Sequence, residues 1–300
     1  MLKIAFDKSY KHPLGDNHRF PMVKYELIPE QLLRKNICSE NSFFAPSEIS
    51  KENAILAHGE AYYDQLLDLT LSKTDQRQIG FPLTETLVKR ERNIAQGSIQ
   101  NTQYALKHGI SMNIAGGTHH AFKDKPGAFC MLNDQAIAAN YLIENKLAKR
   151  VMVVDLDVHQ GNGTASIFED NKAVYTLSFH GKKNYPFIKQ KSNFDLALED
   201  GTTDTAYLKA LKYELPKHMD AFEPDFIFYL AGVDVLKNDK LGRLAMSISG
   251  CKERDRFVLD LCKRNKIPLQ VSMGGGYSIY LKEIIDAHSN TFELAQELYF

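Results

Sequence analysis

Three ionisable side chains alternate along VVDLDVHQGNG, residues 153–163. Asp155, Asp157 and His159 occupy every second position, and such side chains share one face of an extended chain. Burying them there is costly unless they find partners. Asp234, which follows another apolar run, completes an Asp2His set with Asp157 and His159 that can bind a divalent cation and leave a position for water or substrate. The pattern predicts an open, catalytic metal site. The simpler alternative is a helix-capping aspartate beside a core histidine.

Two further motifs carry side chains that suit hydrolysis. The pair His119–His120 in AGGTHHAF can place two imidazoles beside a bound water, one as general base and acid and the other as an orienting group. Asp155 is a natural partner for one of them. Tyr277 in MGGGYS can donate a hydrogen bond to a carbonyl oxygen opposite the metal. Alone, each motif also suits an ordinary turn, so the prediction depends on their combination.

Apolar strands that alternate with amphipathic helices must position these residues. The predicted strands are 2–6, 111–116, 151–157, 173–179, 225–232 and 268–273, and the predicted helices are 85–108, 133–146, 205–219 and 251–265. This alternation indicates a parallel sheet covered on both faces. The candidate residues, and also His180, lie at or just after the carboxyl ends of strands, where parallel sheets bind ligands. We therefore expect all of them to meet at one rim.

Composition excludes several classes of function. Lys plus Arg and Asp plus Glu balance at 37 each among 300 residues, so no nucleic acid or anionic membrane is expected as a partner. The four cysteines form no C-x-x-C pair, which is typical of a reducing compartment. From the sequence we expect neither a signal-peptide core nor a membrane span. We expect a single domain over 1–300 and a cytoplasmic location, with nuclear location or secretion without a cleavable signal as alternatives.

Two basic segments are interpreted as solvated surface. GKKNYPFIKQK, residues 181–191, combines lysines with aromatic residues, but in a neutral chain it suits a loop beside the site. ERDRF at 253–257 and KRN at 263–265 suit the solvent face of a helix.

The motifs together resemble one family. AGGTHHAF, GAFCMLND, VVDLDVHQGNG, YLAGVDVL and GGGY, in this order and at these separations, resemble the histone deacetylase family of zinc amidohydrolases over essentially the whole chain. NHRFPM, residues 17–22, resembles the Arg-bearing N-terminal segment of the family. The likeness is greatest to class IV and bacterial deacetylase-like proteins. It implies an α/β fold, the three-layer arginase-deacetylase fold with a central, mainly parallel eight-stranded sheet.

The resemblance also assigns roles to individual residues. It implies that Asp157, His159 and Asp234 bind Zn2+, that His120 is the general base and acid, that His119 pairs with Asp155, and that Tyr277 polarises the scissile carbonyl. It places Phe129 and Gly275 in the substrate tunnel, with Phe187 opposite and Tyr185 as the alternative. It places Arg19 in an internal channel for product release. A structural K+ would lie among Asp155, Asp157, His159, Ser178 and backbone carbonyls.

One residue departs from the family pattern. Asn162 stands where many members carry an acid as the partner of the second histidine. A neutral amide cannot stabilise an imidazolium as a carboxylate does, so His120 is predicted to be less basic than in the Asp-bearing relatives.

The implied function is hydrolysis of acetyl or longer acyl groups from lysine side chains of proteins. A deacetylase of small acetylated amines such as polyamines has the same zinc centre and stays open, as does an inactive binding module. A di-manganese ureohydrolase is disfavoured, because Gly161 and Gly232 stand where bridging carboxylates are needed. An Asp2His set also accepts Fe2+ or Co2+, and the sequence leaves the oligomeric state open.

Overall fold

Parallel strands form the centre of the molecule. The computed structural model describes residues 1–15 and 18–300, so Asn17 of the NHRFPM motif lies outside the described residues. Eight strands form one sheet in the order β2-β1-β3-β8-β7-β4-β5-β6, and every pair is parallel. The strands are β1 Ile4–Ala5, β2 Phe43–Phe44, β3 Ile110–Asn113, β4 Val151–Asp155, β5 Val174–Gly181, β6 Phe194–Leu198, β7 Phe226–Leu230 and β8 Leu269–Ser272. The α/β fold with a central eight-stranded sheet is thus confirmed.

Helices surround the sheet. They are α1 Lys24–Arg34, α2 Lys51–Ala54, α3 Glu60–Leu67, α4 Lys73–Ile79, α5 Glu85–His108, α6 Asp134–Glu144, α7 Asn162–Ile167, α8 Asp204–Phe222, α9 Ile248–Arg264 and α10 Leu281–Tyr299. Helix α5 spans the predicted residues because both of its ends are marked in the sequence. The Thr84 side chain accepts a hydrogen bond from the Leu87 amide at 3.2 Å, and Gly109 ends the helix with φ +86°.

Two strands, β2 and β6, were not predicted from the sequence, and both lie at the edges of the sheet. β2 is only two residues long. In β6 the odd-numbered positions Asp195 and Ala197 are more exposed than a central strand allows, so it lacks the continuous apolar run used to find the other strands. Edge strands need burial on fewer sides, and their sequences are correspondingly less apolar.

The strands that carry the site are neighbours. β3, β8, β7 and β4 lie side by side in the middle of the sheet. The loops after their carboxyl ends therefore bring four separate parts of the chain to one rim. His180 does not join them, contrary to the prediction. It lies within β5, buried, with its Nδ1 atom 3.0 Å from Ser178 Oγ.

A buried arginine of α9 binds the loops that follow β4 and β7. The sequence had indicated that this part of α9 faces solvent. Arg254 and Asp255 of α9 are fully buried, so that interpretation is wrong for both residues. The Arg254 guanidinium donates to the carbonyl oxygens of Leu156 at 3.1 Å and Gly232 at 2.7 Å, just beyond β4 and β7. Its Nε atom donates to Asp255 Oδ1 at 2.9 Å. The ion pair thus fixes the two turns from which Asp157 and Asp234 project.

We expect Arg254→Met to lower the free energy of unfolding by about 3–5 kcal/mol, because it leaves the Asp255 carboxylate buried without its partner. Urea unfolding followed by circular dichroism measures the change. Arg256→Met is the matched control, since Arg256 lies on the same helix but pairs with Glu297 at the surface, and it should change stability little. Equal effects of the two substitutions would contradict the role given to Arg254.

Candidate metal centre and active site

Two carboxylates converge on one imidazole nitrogen. His159 Nδ1 lies 3.0 Å from Asp157 Oδ1 and 3.1 Å from Asp234 Oδ2, and all three residues are buried. Within residues 1–15 and 18–300, these three form the one group of His, Cys, Asp or Glu side chains whose candidate ligand atoms lie within 4.8 Å of one another. The predicted Asp2His set is therefore brought together.

The charge balance of this cluster fits a cation. Burial lowers the pKa of His159, but hydrogen bonds with Asp157 and Asp234 raise it to about 10. Burial and the neighbouring Asp157 raise the pKa of Asp234 to about 7. A positive charge between the two carboxylates therefore stabilises them. An Asp2His donor set is suited to a divalent transition metal.

Backbone groups fix the carboxylate oxygens that do not face the histidine. The Gly275 amide donates to Asp157 Oδ2 at 2.7 Å, and the Val158 amide donates to Asp234 Oδ1 at 2.9 Å. Gly275 also lines the cavity. A Cβ atom at Gly275 would collide with Asp234 Oδ2, so only glycine allows this approach. Hydrogen bonds of this kind orient metal ligands.

The histidine pair lies beside the cluster, and each ring has its own partner. His119 Nδ1 lies 2.7 Å from Asp155 Oδ2, and His120 Nδ1 lies 2.7 Å from Asn162 Oδ1. The rings are 4.1 Å apart between centroids. The loop from β3 reaches this position through Gly116, where φ is +80° and a Cβ atom would collide with Asp134. The pairing proposed from the sequence is what the structure shows.

The pKa values of the two histidines are shifted in opposite directions. Burial lowers the pKa of His119, but the Asp155 carboxylate outweighs it and the pKa is raised. Burial and the two neighbouring histidines hold the pKa of His120 well below its usual value, and the Asn162 amide compensates only in part. His120 is therefore neutral at pH 7 and able to accept a proton.

Tyr277, in the glycine turn after β8, lies near the Asp157, His159 and Asp234 side chains. Its ring lies 6.3 Å from the His159 ring between centroids. Burial, Asp234 and Asp157 raise the pKa of its phenol well above the usual value. The hydroxyl group therefore keeps its proton and can act as a hydrogen-bond donor.

A cavity of about 540 Å³ leads from the surface to these residues. Phe129 forms one wall, stacked on Phe81 with 5.0 Å between ring centroids. Tyr185 forms the other, edge-on to His120 at 4.8 Å. The preference for Phe187 over Tyr185 is wrong, because the Phe187 side chain is 88% exposed at the cavity mouth. The backbone of Phe129 has φ +59°, an unfavourable conformation for a non-glycine residue that directs its ring into the cavity.

Arg19 does not lie in an internal channel, so its predicted role in product release is wrong. Its side chain is exposed, and its guanidinium carbon lies 5.0 Å from the centre of the Phe129 ring. A second arginine, Arg90, also lines the cavity and is buried. Arg90 Nε donates to the Tyr10 carbonyl oxygen at 2.7 Å, and the guanidinium lies over the Tyr25 ring.

Four cationic side chains surround the mouth of the cavity. We call them the basic rim: Arg19, Lys183, Lys240 and Arg243. Three of the four were not singled out from the sequence by role, since scattered exposed lysines and arginines carry no spacing signal. Lys183 belongs to the segment interpreted as a solvated loop beside the site, and its exposed position agrees with that interpretation.

Comparison with known proteins decides the family. Residues 18–292 match the model of the histone deacetylase domain. The chain belongs to the histone deacetylase family. It is similar to Histone deacetylase 2 of Arabidopsis thaliana, with 31% identity over 270 residues that cover 87% of this chain and 70% of that protein. An uncharacterized protein of Picosynechococcus sp. is 38% identical over 99% of both chains.

Two further similarities are to a solved structure and to a bacterial protein. The crystal structure of the HDA15 HD domain superposes with a TM-score of 0.83 over 99% of this chain and 88% of that one, at 22% identity, which supports the fold. The acetoin utilization protein AcuC of Staphylococcus aureus is 26% identical over 92% of this chain and 77% of that protein. Among the described residues, no helix is both long and apolar enough to span a membrane.

We expect Gly275→Ala to weaken binding of a divalent metal by about 10- to 100-fold, because the added methyl group displaces Asp234 and its support. Competition with a chromophoric chelator measures the affinity. Gly15→Ala is the control, since nothing lies within 4 Å of a Cβ atom at that position. An unchanged affinity in Gly275→Ala would show that the close approach does not hold the ligands in place.

Proposed function

We propose that this member of the histone deacetylase family is a zinc-dependent hydrolase that removes acyl groups from lysine side chains of proteins or peptides. The observation that carries the proposal is the arrangement at the cavity floor. The Asp2His set, the histidine pair and the Tyr277 hydroxyl surround one point at the end of an aromatic-walled passage. Residues 1–300 act in this proposal as one catalytic domain.

Asp157, His159 and Asp234 hold the zinc ion in this proposal. When bound, zinc supplies a Lewis acid that polarises the amide carbonyl and makes water more acidic. A structural K+ beside Asp155, Asp157, His159 and Ser178 belongs to the same proposal. Its support is that Asp155 and Ser178 are buried register partners on β4 and β5, so two oxygen-bearing side chains are neighbours there.

The chain's own residues perform the proton transfers. His120 uses Nδ1 to bind Asn162, which leaves its Nε2 atom to take the proton from the attacking water and later to give it to the departing lysine amine. His119, held by Asp155, orients this exchange. The Tyr277 hydroxyl donates a hydrogen bond to the carbonyl oxygen as its negative charge grows.

A small acetylated amine is the second candidate substrate, and the similarity to the acetoin utilization protein AcuC is the reason to consider it. Polyamines, however, are cationic. Of the residues lining the described cavity, Asp157 at the floor is the one acid, whereas the mouth carries the basic rim. A cationic amine would meet like charges there, so the geometry favours acyl-lysine in a peptide.

The length of the acyl group depends on the inner end of the cavity. The lining also includes Tyr25, Ile94 and Arg90, which are all buried. A longer acyl chain would contact Tyr25 and Ile94, whereas the Arg90 guanidinium is already paired with the buried Glu91 carboxylate.

Zinc-loaded protein should hydrolyse acetyl-lysine or myristoyl-lysine peptides with a higher kcat/KM than acetylated polyamines. Tyr277→Phe should lower kcat by about 10²- to 10³-fold on the preferred peptide, as expected for loss of an oxyanion donor. Tyr280→Phe, at an exposed tyrosine three residues away, is the control and should retain activity. The proposal fails if the zinc-loaded protein hydrolyses none of these peptides.

We expect Asn162→Asp to move the acidic limb of the pH profile of kcat/KM upward. A base works only when it is unprotonated, and burial with two histidine neighbours now holds the pKa of His120 low. A carboxylate on Nδ1 stabilises the imidazolium, raises that pKa, and so costs activity at mildly acidic pH. Asn171→Asp, which makes the same change of net charge at a distance from the cavity, is the control. An unmoved limb would contradict the assignment of His120 as the base.

A further inference from the structure

We infer that the basic rim selects acyl-lysines whose neighbours in the peptide are acidic, an inference that rests on the proposed function. The four rim cations are exposed in a chain whose formal net charge is zero. The one acid that lines the described cavity, Asp157, lies at its floor as a proposed zinc ligand. The mouth of the cavity is therefore positive although the protein as a whole is neutral.

Two of the rim cations are already partly neutralised. Lys183 Nζ lies 3.7 Å from Asp200 Oδ2, and Arg243 Nε lies 2.8 Å from the same oxygen. Arg19 and Lys240 form no ion pair with any residue in the described part of the chain. Arg19 instead lies over the Phe129 ring, a contact that engages the face of the guanidinium and leaves its N–H donors at the edge. These two residues are the ones available to a substrate carboxylate.

The backbone that carries Lys240 is fixed to the catalytic centre. Asp239 Oδ1 accepts hydrogen bonds from the Leu241 and Gly242 amides, each at 2.8 Å. Asp239 Oδ2 accepts from the Tyr277 amide at 2.6 Å. The Lys240 backbone is thus held beside that of Tyr277, to whose carbonyl oxygen the Lys240 amide donates at 3.3 Å, and its exposed side chain lines the cavity mouth, where the residues flanking an acyl-lysine must lie.

Physical chemistry sets the size of the effect. A single exposed ion pair is worth up to about fivefold in an equilibrium or specificity constant. An acidic neighbour gains this attraction, whereas a basic neighbour meets repulsion, so the two should differ by about tenfold or more in kcat/KM. Because the pairs are exposed, the preference should shrink as ionic strength rises.

The test uses the zinc-loaded full chain and three peptides with the same acyl-lysine, flanked by Asp and Glu, by Asn and Gln, or by Lys and Arg. We expect kcat/KM to fall in that order at low salt. In Arg19→Gln with Lys240→Gln, the ratio of acidic to basic peptide should fall towards one. Lys172→Gln is the control, because Lys172 is exposed just before the amino end of β5, at the edge of the sheet opposite the rim, and it should keep the wild-type ratio.

The possible results distinguish the inference about the basic rim from the proposed function. Equal kcat/KM for the three peptides, or a preference that the double variant retains, would overturn the inference while leaving the proposed function intact. Failure to hydrolyse even the neutral peptide would overturn the proposed function, and the inference with it. Thermal unfolding of each variant checks the fold.

Discussion

The close approach of two buried carboxylates to one imidazole is the constraint on which the rest of this structure depends. Asp157 and Asp234 place oxygens within 3.1 Å of His159 Nδ1, and two such charges are stable in the interior only with a positive charge between them. The free-energy cost of burying these charges is seen in Asp234, whose pKa rises from 3.8 to about 7. Between these values Asp234 without metal holds a proton in the folded protein that it has lost in the unfolded chain, so the contribution of this residue to stability falls as pH rises through this range. A bound cation removes that penalty.

Most of the site could be predicted because it depends on short-range spacing and on one rule of topology. Asp155 ends β4, Asp157 and His159 follow at every second position just beyond it, and parallel strands bring their carboxyl ends together. The tunnel wall could not be predicted in this way. Tyr185 and Phe187 are two residues apart in an irregular loop, and nothing in their types indicates which ring turns inward. The course of the loop, set by contacts with distant residues, decides it.

The buried arginines were missed for a different reason, and a signal for them was present. Arg254 lies three residues after Cys251 and four before Val258, both buried. Arg90 has the same relation to Leu87 and Ile94. Each arginine thus falls on the apolar stripe of its helix. A charged side chain favours an exposed position, but for these two arginines the position on the apolar stripe is the better guide to burial.

Chemistry and specificity are mechanically coupled in this fold. One carboxylate, Asp239, binds the Tyr277 amide with one oxygen and the loop after Lys240 with the other. A shift of the loop that carries Lys240 and Arg243 would therefore also move the Tyr277 phenol beside the Asp2His set. The family's hydrolytic centre and the charge at its entrance are parts of one hydrogen-bonded unit. Substitution of exposed side chains such as Lys240 can alter the charge without disturbing that unit, whereas changes to its backbone cannot.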